Sequence, residues 1–389
     1  MYYVGIDISK YKHDCCIISS DGEIIVSNLV IDNNHVGFSK LQSVLDDLND
    51  PQKIRIGFEA TAHYANNLKL FLEKKRYNFM ECNPIFLSRF LKGQTLRKTK
   101  SDAIDALAIA KWLMTVEYKP HPTGFYHMYS LKSLTRLRNS LVKQRSYYLV
   151  KITNVLDHTF PEFKPFFNNR FSVTAFYLLS KYHTAEAISK ISIRSYDTIR
   201  KLSRGRFTLE KFLALKEIAA NSVGQSNEIF EYQLSALLNL HEQLALKIEE
   251  LENQIIDIIS FLNPPTLSIH GLGPLSVAVI ISEFGDISKF KSPAQMLSFA
   301  GLEPGYFQSG MSEHTGKMVK RGSSNLRFTL MNLCIPLLKF NPIFAQYYHK
   351  KRKEGKSHRV ACSHMCKKLI RVIYALETKN IKYDFNELR

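Results

Sequence analysis

The sequence predicts two structural classes in one chain: an α/β region at the N-terminus, then a helical middle and a mostly helical C-terminal region. Short apolar strands alternate with helical patterns over the first hundred residues, and from Ser130 onward apolar residues recur at helical spacing. Prolines and glycines mark the boundaries, at 120–124 and at Pro264–Pro265. We therefore expect three domains: residues 1–124, 125–263 and 264–389.

The first domain is predicted to contain five strands, at residues 2–9, 13–19, 23–31, 54–60 and 78–83. Ser20-Asp-Gly22 is a hairpin turn signal between the second and third strands. Helical spacing follows at 35–48 and 64–75, and again at 101–114 with Ser101 as N-cap. Three antiparallel strands followed by helix-separated parallel strands resemble the order of the RNase H-like fold.

Two apolar stripes define the helical middle. One consists of Leu131, Leu134, Leu137, Leu141, Tyr148, Ile152 and Leu156. The other steps by four and three, as in a heptad repeat: Leu244, Ile248, Leu251, Ile255, Ile258 and Leu262. The second stripe indicates either a dimerising coiled coil or packing inside a helical bundle.

In the C-terminal region, Ile269-His-Gly-Leu-Gly-Pro-Leu-Ser-Val-Ala278 has the shape of a helix-hairpin-helix turn. Its two glycines allow backbone amides at a helix start to approach a phosphate. A simple tight turn has a similar sequence, so both interpretations stay open.

Charge favours a polyanionic partner. The chain has 53 Lys and Arg against 35 Asp and Glu, a net charge of +18, and nucleic acid is the first candidate. From Lys317 to Arg371 there are 14 basic residues and one acid, Glu354. A second strongly basic stretch runs from Lys119 to Lys216. We expect two separate basic surfaces.

Composition also bears on location. No apolar run reaches the roughly 18 residues that a membrane span needs, and the first ten residues lack the pattern of a signal peptide. Six cysteines without regular spacing indicate reduced thiols. The expected location is the bacterial cytoplasm, at the nucleoid.

Four acids form the strongest candidate site. Asp7 lies inside an apolar strand and Glu59 ends another, where a carboxylate is costly unless it is paired or bound to metal. Asp102 and Asp105 are three apart and share one helix face. Together they predict an oxygen-ligand site for Mg²⁺ or Mn²⁺, suited to phosphodiester chemistry. Taken singly, Asp102 is an ordinary first-turn helix charge and Glu59 an ordinary lysine partner.

Other side chains are less specific. Ser309-Gly310 is typical of a turn, although basic residues nearby could hold a phosphate. His358, Cys362, His364 and Cys366 fit no standard zinc spacing. The run Lys350–Lys353 favours phosphate contact over a merely solvated face. Tyr147, Tyr148, Phe166 and Phe167 lie in the basic helical stretch, where aromatic rings either pack in the core or stack on bases.

An ordered set of motifs resembles the DEDD transposases of bacterial insertion sequences and their relatives among DNA invertases. Three acidic motifs carry this resemblance: Gly5-Ile-Asp7-Ile-Ser-Lys10, Gly57-Phe-Glu59-Ala-Thr61 and Lys98-Thr-Lys-Ser-Asp102-Ala-Ile-Asp105-Ala106. Leu141-Val-Lys-Gln-Arg145 and Phe160-Pro-Glu162 follow in the helical middle. The C-terminal motifs are Gly271-Leu-Gly273, Glu283-Phe-Gly-Asp286, Gly301-Leu-Glu-Pro304, Ser309-Gly310 and Lys320-Arg-Gly-Ser-Ser-Asn-Leu-Arg327. Ala62 stands where the family often has Gly.

The resemblance implies a specific chemistry. Asp7, Glu59, Asp102 and Asp105 are then the metal ligands of a RuvC-like domain, and Ser309 is a nucleophile that forms a transient phosphoserine link with DNA. Metal site and serine form a composite active site. A structured RNA encoded by the element guides the enzyme to donor and target DNA. Homodimers or higher homo-oligomers are expected.

Nucleic-acid contacts are predicted on both basic stretches. The residues are Arg138, Lys143 and Arg145 in the helical middle, and Lys317, Lys320, Arg321 and Arg327 in the C-terminal region. Three other functions stay open: a site-specific DNA invertase, a RuvC-like nuclease that has no use for Ser309, and a nucleic-acid-binding protein without activity. Four intact acids argue against the last, because a pure binding protein has no reason to bury them.

Overall fold

A computed structural model describes residues 1–48, 50–59, 63–82, 84–94, 101–120, 125–168, 171–309 and 312–384. At residues 85, 94, 125–127, 306–309 and 312–317 it describes the backbone alone. Thr61, Ala62, Lys98, Gly310 and the predicted boundary at 122–124 lie outside the described residues. The chain divides into two compact units, residues 1–129 and 130–389.

The first unit is built on a five-stranded sheet in the order β3-β2-β1-β4-β5. Its strands are β1 Tyr2–Ile8, β2 Lys12–Ser19, β3 Ile24–Asp32, β4 Ile54–Glu59 and β5 Phe79–Cys82. The pairs β1–β2 and β2–β3 are antiparallel, and β1–β4 and β4–β5 are parallel. This confirms the predicted order of three antiparallel strands followed by parallel ones.

Helices cover both faces of this sheet. They are α1 His35–Asp46, α2 Asn66–Lys74, α3 Pro84–Gln94 and α4 Asp102–Thr115. On one face, α1 and α2 pack on Val4, Ile6 and Phe58 in the main core. On the other, Ala106 and Ala110 of α4 pack on Cys16 and Ile18 of β2. The two faces alternate along each strand, because successive side chains point to opposite sides.

The second unit is helical apart from one hairpin. It contains most of α5 Phe125–Thr159, and then α6 Phe163–Phe166, α7 Val173–Lys181, α8 Ala185–Ser189, α9 Tyr196–Leu202, α10 Leu209–Ala220, α11 Glu228–Leu262, α12 Pro274–Phe284, α13 Pro293–Phe299, α14 Ser324–Asn332, α15 Cys334–Phe340, α16 Pro342–Lys353 and α17 His358–Lys379. The hairpin pairs β6 Pro304–Ser309 with β7 Ser312–Met318. The sequence did not indicate these two strands.

The apolar stripe of α11 packs within the chain. The buried residues in this part of the helix are Ile248, Leu251, Ile255 and Ile259. The predicted stripe continued instead through Ile258 and Leu262, and Leu262 is exposed. An α-helix of 3.6 residues per turn drifts away from a strict heptad, so the buried face moves on by one residue. The helix α11 packs against α12, and the coiled coil stays a prediction.

The predicted helix-hairpin-helix is a turn that leads into a single α-helix. Only a four-residue 3-10 helix, Pro265–Ser268, precedes the turn, because Pro264 and Pro265 restrict the backbone. Gly271 has a positive φ of 97°, and Pro274 occupies the first position of α12.

Among the described helices, none is by itself long and apolar enough to cross a membrane. One pair bent by 108°, Ser324–Phe340 with Pro342–Lys353, meets the criteria of length and composition only.

Candidate active site

Three carboxylates lie in a row across the centre of the sheet. Asp7 on β1 is directly opposite Asp14 on β2. In the parallel pair of β1 and β4, Ile6 is aligned with Phe58, so Glu59 follows beside Asp7. Residues at the same level of neighbouring strands face the same side of the sheet. The sheet therefore presents Asp14, Asp7 and Glu59 side by side on the face that α4 covers.

Two glycines bring α4 down onto this row. A Cβ atom at Gly5 would lie 2.2 Å from the Ala106 carbonyl oxygen and 2.4 Å from the Ala110 nitrogen. A Cβ atom at Gly57 would lie 2.8 Å from a methyl carbon of Leu113. Each glycine precedes an acid by two residues and so shares its face. The Gly-x-acid spacing thus lets the backbone of α4 approach Gly5, and its Leu113 side chain approach Gly57, next to the carboxylates.

The N-terminal turn of α4 supplies two further acids. Ser101 is its N-cap, as predicted, and its hydroxyl accepts a hydrogen bond from the Ile104 nitrogen at 3.4 Å. Asp102 and Asp105 lie in this first turn, where the positive end of the helix dipole favours negative charge. Five carboxylates, four of them predicted from the sequence, are thereby gathered at one place in the first unit.

The closeness of these groups is expressed in the pKa of Asp7. Burial raises it most, followed by the negative charges of Asp105, Asp102, Glu59 and Asp14, and together they bring it to about 6. A like charge nearby disfavours ionisation because the second carboxylate must be charged against the first. All four neighbours act on Asp7, which places it at the electrostatic centre of the site.

Among the described residues, Lys12 is a cation that forms ion pairs with this group of acids. Its Nζ lies 3.2 Å from Oδ2 of Asp14 and 3.4 Å from Oδ2 of Asp102. The hydrogen bond to Asp14 is the largest cause of the raised pKa of Lys12. Neither Lys12 nor Asp14 was predicted as a site residue. The available signal was the same one that selected Asp7, since Asp14 is buried and begins an apolar run through Ile18.

The donor set fits a hard divalent cation, because its members are all carboxylate oxygens. In the described part of the chain, however, no three His, Cys, Asp or Glu side chains are arranged to hold one ion. To share one ion, Asp7, Glu59, Asp102 and Asp105 would have to approach more closely. Their like charges oppose this approach until a cation is bound. The structure gathers the predicted ligands without arranging them as a coordination shell.

Ser309 is the last residue of β6, and its backbone is aligned with Ser312 across the hairpin. Its side chain and that of Lys317 lie outside the described residues. The strand β7 leads into the segment of Lys320 and Arg321, which are both exposed. The Val319 nitrogen bonds the Glu303 carbonyl at 3.0 Å, and the Lys320 nitrogen bonds that of Gly301 at 3.2 Å. Two of the C-terminal motifs thus lie against each other.

The buried carboxylate of Glu283 connects α12 with α5 and with Ser323. Glu283 of α12 accepts two hydrogen bonds from Arg136 of α5, at 2.8 and 3.1 Å, and Lys132 lies 3.4 Å away. Burial raises the pKa of Glu283, but the Arg136 hydrogen bond, the two cations and a hydrogen bond from Ser323 outweigh it and lower the pKa overall. The residue was quoted in a motif, but its ion pair was not predicted.

The residues predicted to bind nucleic acid divide into two groups. Arg138 is hydrogen-bonded to Glu252 of α11, and Arg327 donates to the Ala300 carbonyl at 3.2 Å. Both therefore have structural partners within the chain. Lys143 is exposed, as are Lys320 and Arg321, and Arg145 is half-buried near His241.

The other candidates have ordinary surroundings. Cys362 and Cys366 are buried in the C-terminal core, and His358 is hydrogen-bonded to the Tyr348 hydroxyl at 2.7 Å. In the basic run of α16, Lys351 is paired with Glu354. Phe166 and Phe167 pack against the core of the helical region.

Comparison with known proteins gives the family. A family model for transposases of the DEDD type found in IS110 elements matches residues 4–161, which include all four predicted ligands. A second, described as the transposase IS116/IS110/IS902 family, matches residues 266–349. The chain belongs to this family of transposases. The family also includes DNA invertases, and its reaction is the cleavage and rejoining of DNA strands.

Full-length relatives agree with this assignment. The 44.8 kDa protein of insertion element IS116 from Streptomyces clavuligerus is 23% identical over 96% of this chain and 94% of its own length. The pilin gene-inverting protein of Moraxella bovis is 23% identical over 98% of this chain and 97% of its own. The 42 kDa protein of insertion element IS900 from Mycobacterium paratuberculosis is 24% identical, with coverage of 96% and 95%.

Proposed function

We propose that this transposase is an RNA-guided DNA recombinase of an insertion element, which uses divalent metal and a serine nucleophile. Family membership supplies the reaction class. The observation that supports the finer mechanism is the gathering of Asp7, Glu59, Asp102 and Asp105, where burial and then the charges of the neighbouring acids raise the pKa of Asp7 to about 6. Such a concentration of negative charge in a partly buried place is typical of a site that takes a cation.

Asp7, Glu59, Asp102 and Asp105 would hold Mg²⁺ or Mn²⁺. When bound, the ion would polarise a phosphate oxygen and stabilise the charge that develops on phosphorus. The strands β1 and β4 position Asp7 and Glu59. The helix α4, which packs on the sheet, positions Asp102 and Asp105. Lys12 steadies Asp102 from the side, with Asp14 as its second partner.

Ser309 would be the nucleophile. Its hydroxyl oxygen forms a bond to a DNA phosphorus, and the bond from that phosphorus to the leaving sugar oxygen breaks. The serine gives up its proton as the new bond forms, and the leaving sugar oxygen takes up a proton and becomes a hydroxyl. Attack by the hydroxyl of a new strand end then breaks the phosphoserine bond, rejoins the DNA and returns Ser309 to its protonated form. Because one phosphodiester replaces another, no external energy source is needed. The exposed Lys320 and Arg321 would contact the DNA phosphates.

Guide RNA would bind the basic helical region. Lys143 and Arg145 are better placed for this than Arg138, which is already bonded to Glu252. Charge reversal at Lys143 and Arg145 should weaken binding of the element's RNA and flatten its dependence on salt. Arg138 should be left unchanged in that experiment, because its reversal also breaks an ion pair. The same chain would assemble as a homodimer or a higher homo-oligomer.

The decisive experiment traps the covalent intermediate. The full chain, with its RNA and Mg²⁺, is incubated with a suicide DNA substrate, and the adduct is mapped by denaturing gel and mass spectrometry. We expect an adduct at Ser309 that disappears in Ser309→Ala. Ser312→Ala is the matched control, since Ser312 is the partner of Ser309 in the hairpin. Normal recombination by Ser309→Ala would leave water or a DNA hydroxyl as the nucleophile and favour a metal-dependent nuclease.

A site-specific DNA invertase is the second candidate. Similarity over nearly the whole chain to the pilin gene-inverting protein of Moraxella bovis favours it. The DNA around the reading frame separates the two functions. Element ends and a structured noncoding segment support transposition, whereas an invertible segment beside the gene supports inversion.

A further inference from the structure

A cavity of about 490 Å³ lies in the helical region, lined by residues between 167 and 207. The start of α7 forms one wall, and the turn after α9, residues 202–207, forms another. Phe167 and Phe207 line its apolar side, with rings stacked at 5.9 Å and an interplanar angle of 13°. The volume falls within the range of about 300–1,000 Å³ usual for small-ligand sites, and it exceeds the size of a lone phosphate.

The wall formed by α7 presents hydrogen-bond donors. The Ser172 hydroxyl caps the helix by accepting from the Ala175 nitrogen at 3.1 Å, which leaves the amides of Val173 and Thr174 in the first turn outside this cap. They carry the positive end of the helix dipole. The first turn contains no acidic residue that would compensate it.

Thr174 is an independent sign of a ligand. Only 5% of its surface is exposed, it lines the cavity, and within the described chain its hydroxyl has no hydrogen-bond partner. Buried polar groups are normally satisfied by protein, water or ligand. A hydroxyl in this position is therefore suited to contact a polar group inside the cavity.

The wall formed by the turn after α9 carries two arginines. Arg204 and Arg206 flank Gly205, and both arginines are exposed at the cavity. The Ser203 hydroxyl closes the turn by donating to the Arg200 carbonyl at 2.8 Å and accepting from the Phe207 nitrogen at 3.0 Å. The described lining contains no Asp or Glu, and neither arginine forms an ion pair with a described residue. Two guanidinium groups and helix amides that line one cavity are together complementary to a phosphate.

We propose that this cavity binds one unpaired nucleotide of an RNA strand. Its phosphate lies between Arg204, Arg206 and the amides that begin α7, Thr174 donates to it, and the base lies along Phe167. A single strand can turn one nucleotide into such a cavity, whereas duplex DNA keeps its bases stacked inside. This assignment rests on the RNA partner of the proposed function and gives that partner a specific contact.

The test measures RNA binding by the full chain. The probe is a labelled single-stranded RNA of about 12 nucleotides, long enough for one basic groove. Arg204→Ala with Arg206→Ala is compared with Arg194→Ala with Lys211→Ala, which removes the same charge from exposed positions of the same region that do not line the cavity. We expect the first pair to lose at least tenfold more affinity than the second. The salt slope should be lower by about 0.7, for the loss of one phosphate contact on single-stranded RNA.

Thr174→Val tests the cavity without any change in charge or shape. We expect a several-fold loss of RNA affinity while the melting temperature is unchanged or higher. Photo-crosslinking with 4-thiouridine should attach the RNA at or beside Phe167. Equal affinities for the two arginine pairs would overturn the proposal. The proposal would also be overturned if millimolar inorganic phosphate protected the cavity while the RNA crosslinked elsewhere. The cavity would then be a site for free phosphate.

The recombination assay separates this proposal from the proposed function. If recombination proceeds without any RNA, RNA guidance is wrong, whatever the cavity binds. If recombination needs RNA but the Arg204 and Arg206 variants bind it normally, only the cavity assignment is wrong.

Discussion

Asp7 and Glu283 are two carboxylates set among apolar residues, one in each unit, and their surroundings are opposite in charge. Asp7 is surrounded by other acids, and after burial their charges raise its pKa to about 6. Glu283 is more deeply buried, yet Arg136, Lys132 and Ser323 lower its pKa. A buried carboxylate that the chain itself neutralises is part of the architecture. One that the chain surrounds with further negative charge is not neutralised in this way, and such a perturbed carboxylate is typical of a functional site.

The largest expected effect is a loss of DNA cleavage when one of the acids around Asp7 is neutralised. Asp105→Asn should lower DNA cleavage in Mg²⁺ by about 10³-fold or more, because a metal-binding set acts as one unit. RNA and DNA binding should stay near the wild-type level. Asp21→Asn, at an exposed turn of the same unit, is the control. Single-turnover cleavage of a labelled substrate measures the rate, and wild-type cleavage by Asp105→Asn would remove the proposed metal site.

The second prediction concerns the packing of α4 on β1. Gly5→Ala places a methyl group within 2.2 Å of the Ala106 backbone, so helix and strand must separate. We expect a loss of about 3 kcal/mol in the free energy of unfolding, at the upper end for overpacking. Gly93→Ala is the control, since a Cβ atom there meets nothing within 4 Å. Urea unfolding gives both values. An unchanged free energy in Gly5→Ala would show that α4 does not rest on β1.

Loss of the compensating cation tests Glu283. Arg136→Met should lower the free energy of unfolding by about 2 kcal/mol, less than for a fully buried pair because the arginine is half-exposed and Lys132 remains. Arg136→Lys should recover part of this loss, since it keeps the charge but not the two-point contact. If Arg136→Met is as stable as the wild type, Glu283 is not held by this pair.

The smallest expected effect is a pair of opposite pH dependences, measured by urea unfolding in EDTA. The pKa of Asp7 is raised in the folded protein, so its ionisation costs stability. Relative to Asp7→Asn, the wild type should lose stability as pH rises from about 4 to about 6. The pKa of Glu283 is lowered, so its contribution is present above the ordinary value of 4.5 and is lost as pH falls below it. Relative to Glu283→Gln, the wild type should therefore lose stability on acidification. Slopes of the same sign would contradict the comparison.

Local patterns were enough to predict most of the first unit. Its five strands, the helices α1, α2 and α4, the cap at Ser101 and four of its acids follow from apolar periodicity, turn residues and carboxylates in apolar runs. The helix α3 was not predicted. Asp14 carried the same signal and was overlooked. The hairpin β6–β7 was missed because its strands are largely polar, as in Ser312–Met318, and read as loop. The partners of Arg138 and Arg136 lie 114 and 147 residues away in the chain, so no local pattern reveals them.

The contact of α4 with Gly5 makes the helix intolerant of length changes. Ala106 and Ala110 lie against β1, and Asp105 immediately precedes the first of them. Each residue of an α-helix advances by about 1.5 Å and turns by about 100°. Insertion or deletion of one residue between Asp105 and Ala106 would therefore carry both helix acids around the axis and away from Asp7, while the alanine contacts stayed in place. Natural variants of this family should vary in length outside α4 and keep the count from Asp102 to Ala110 constant.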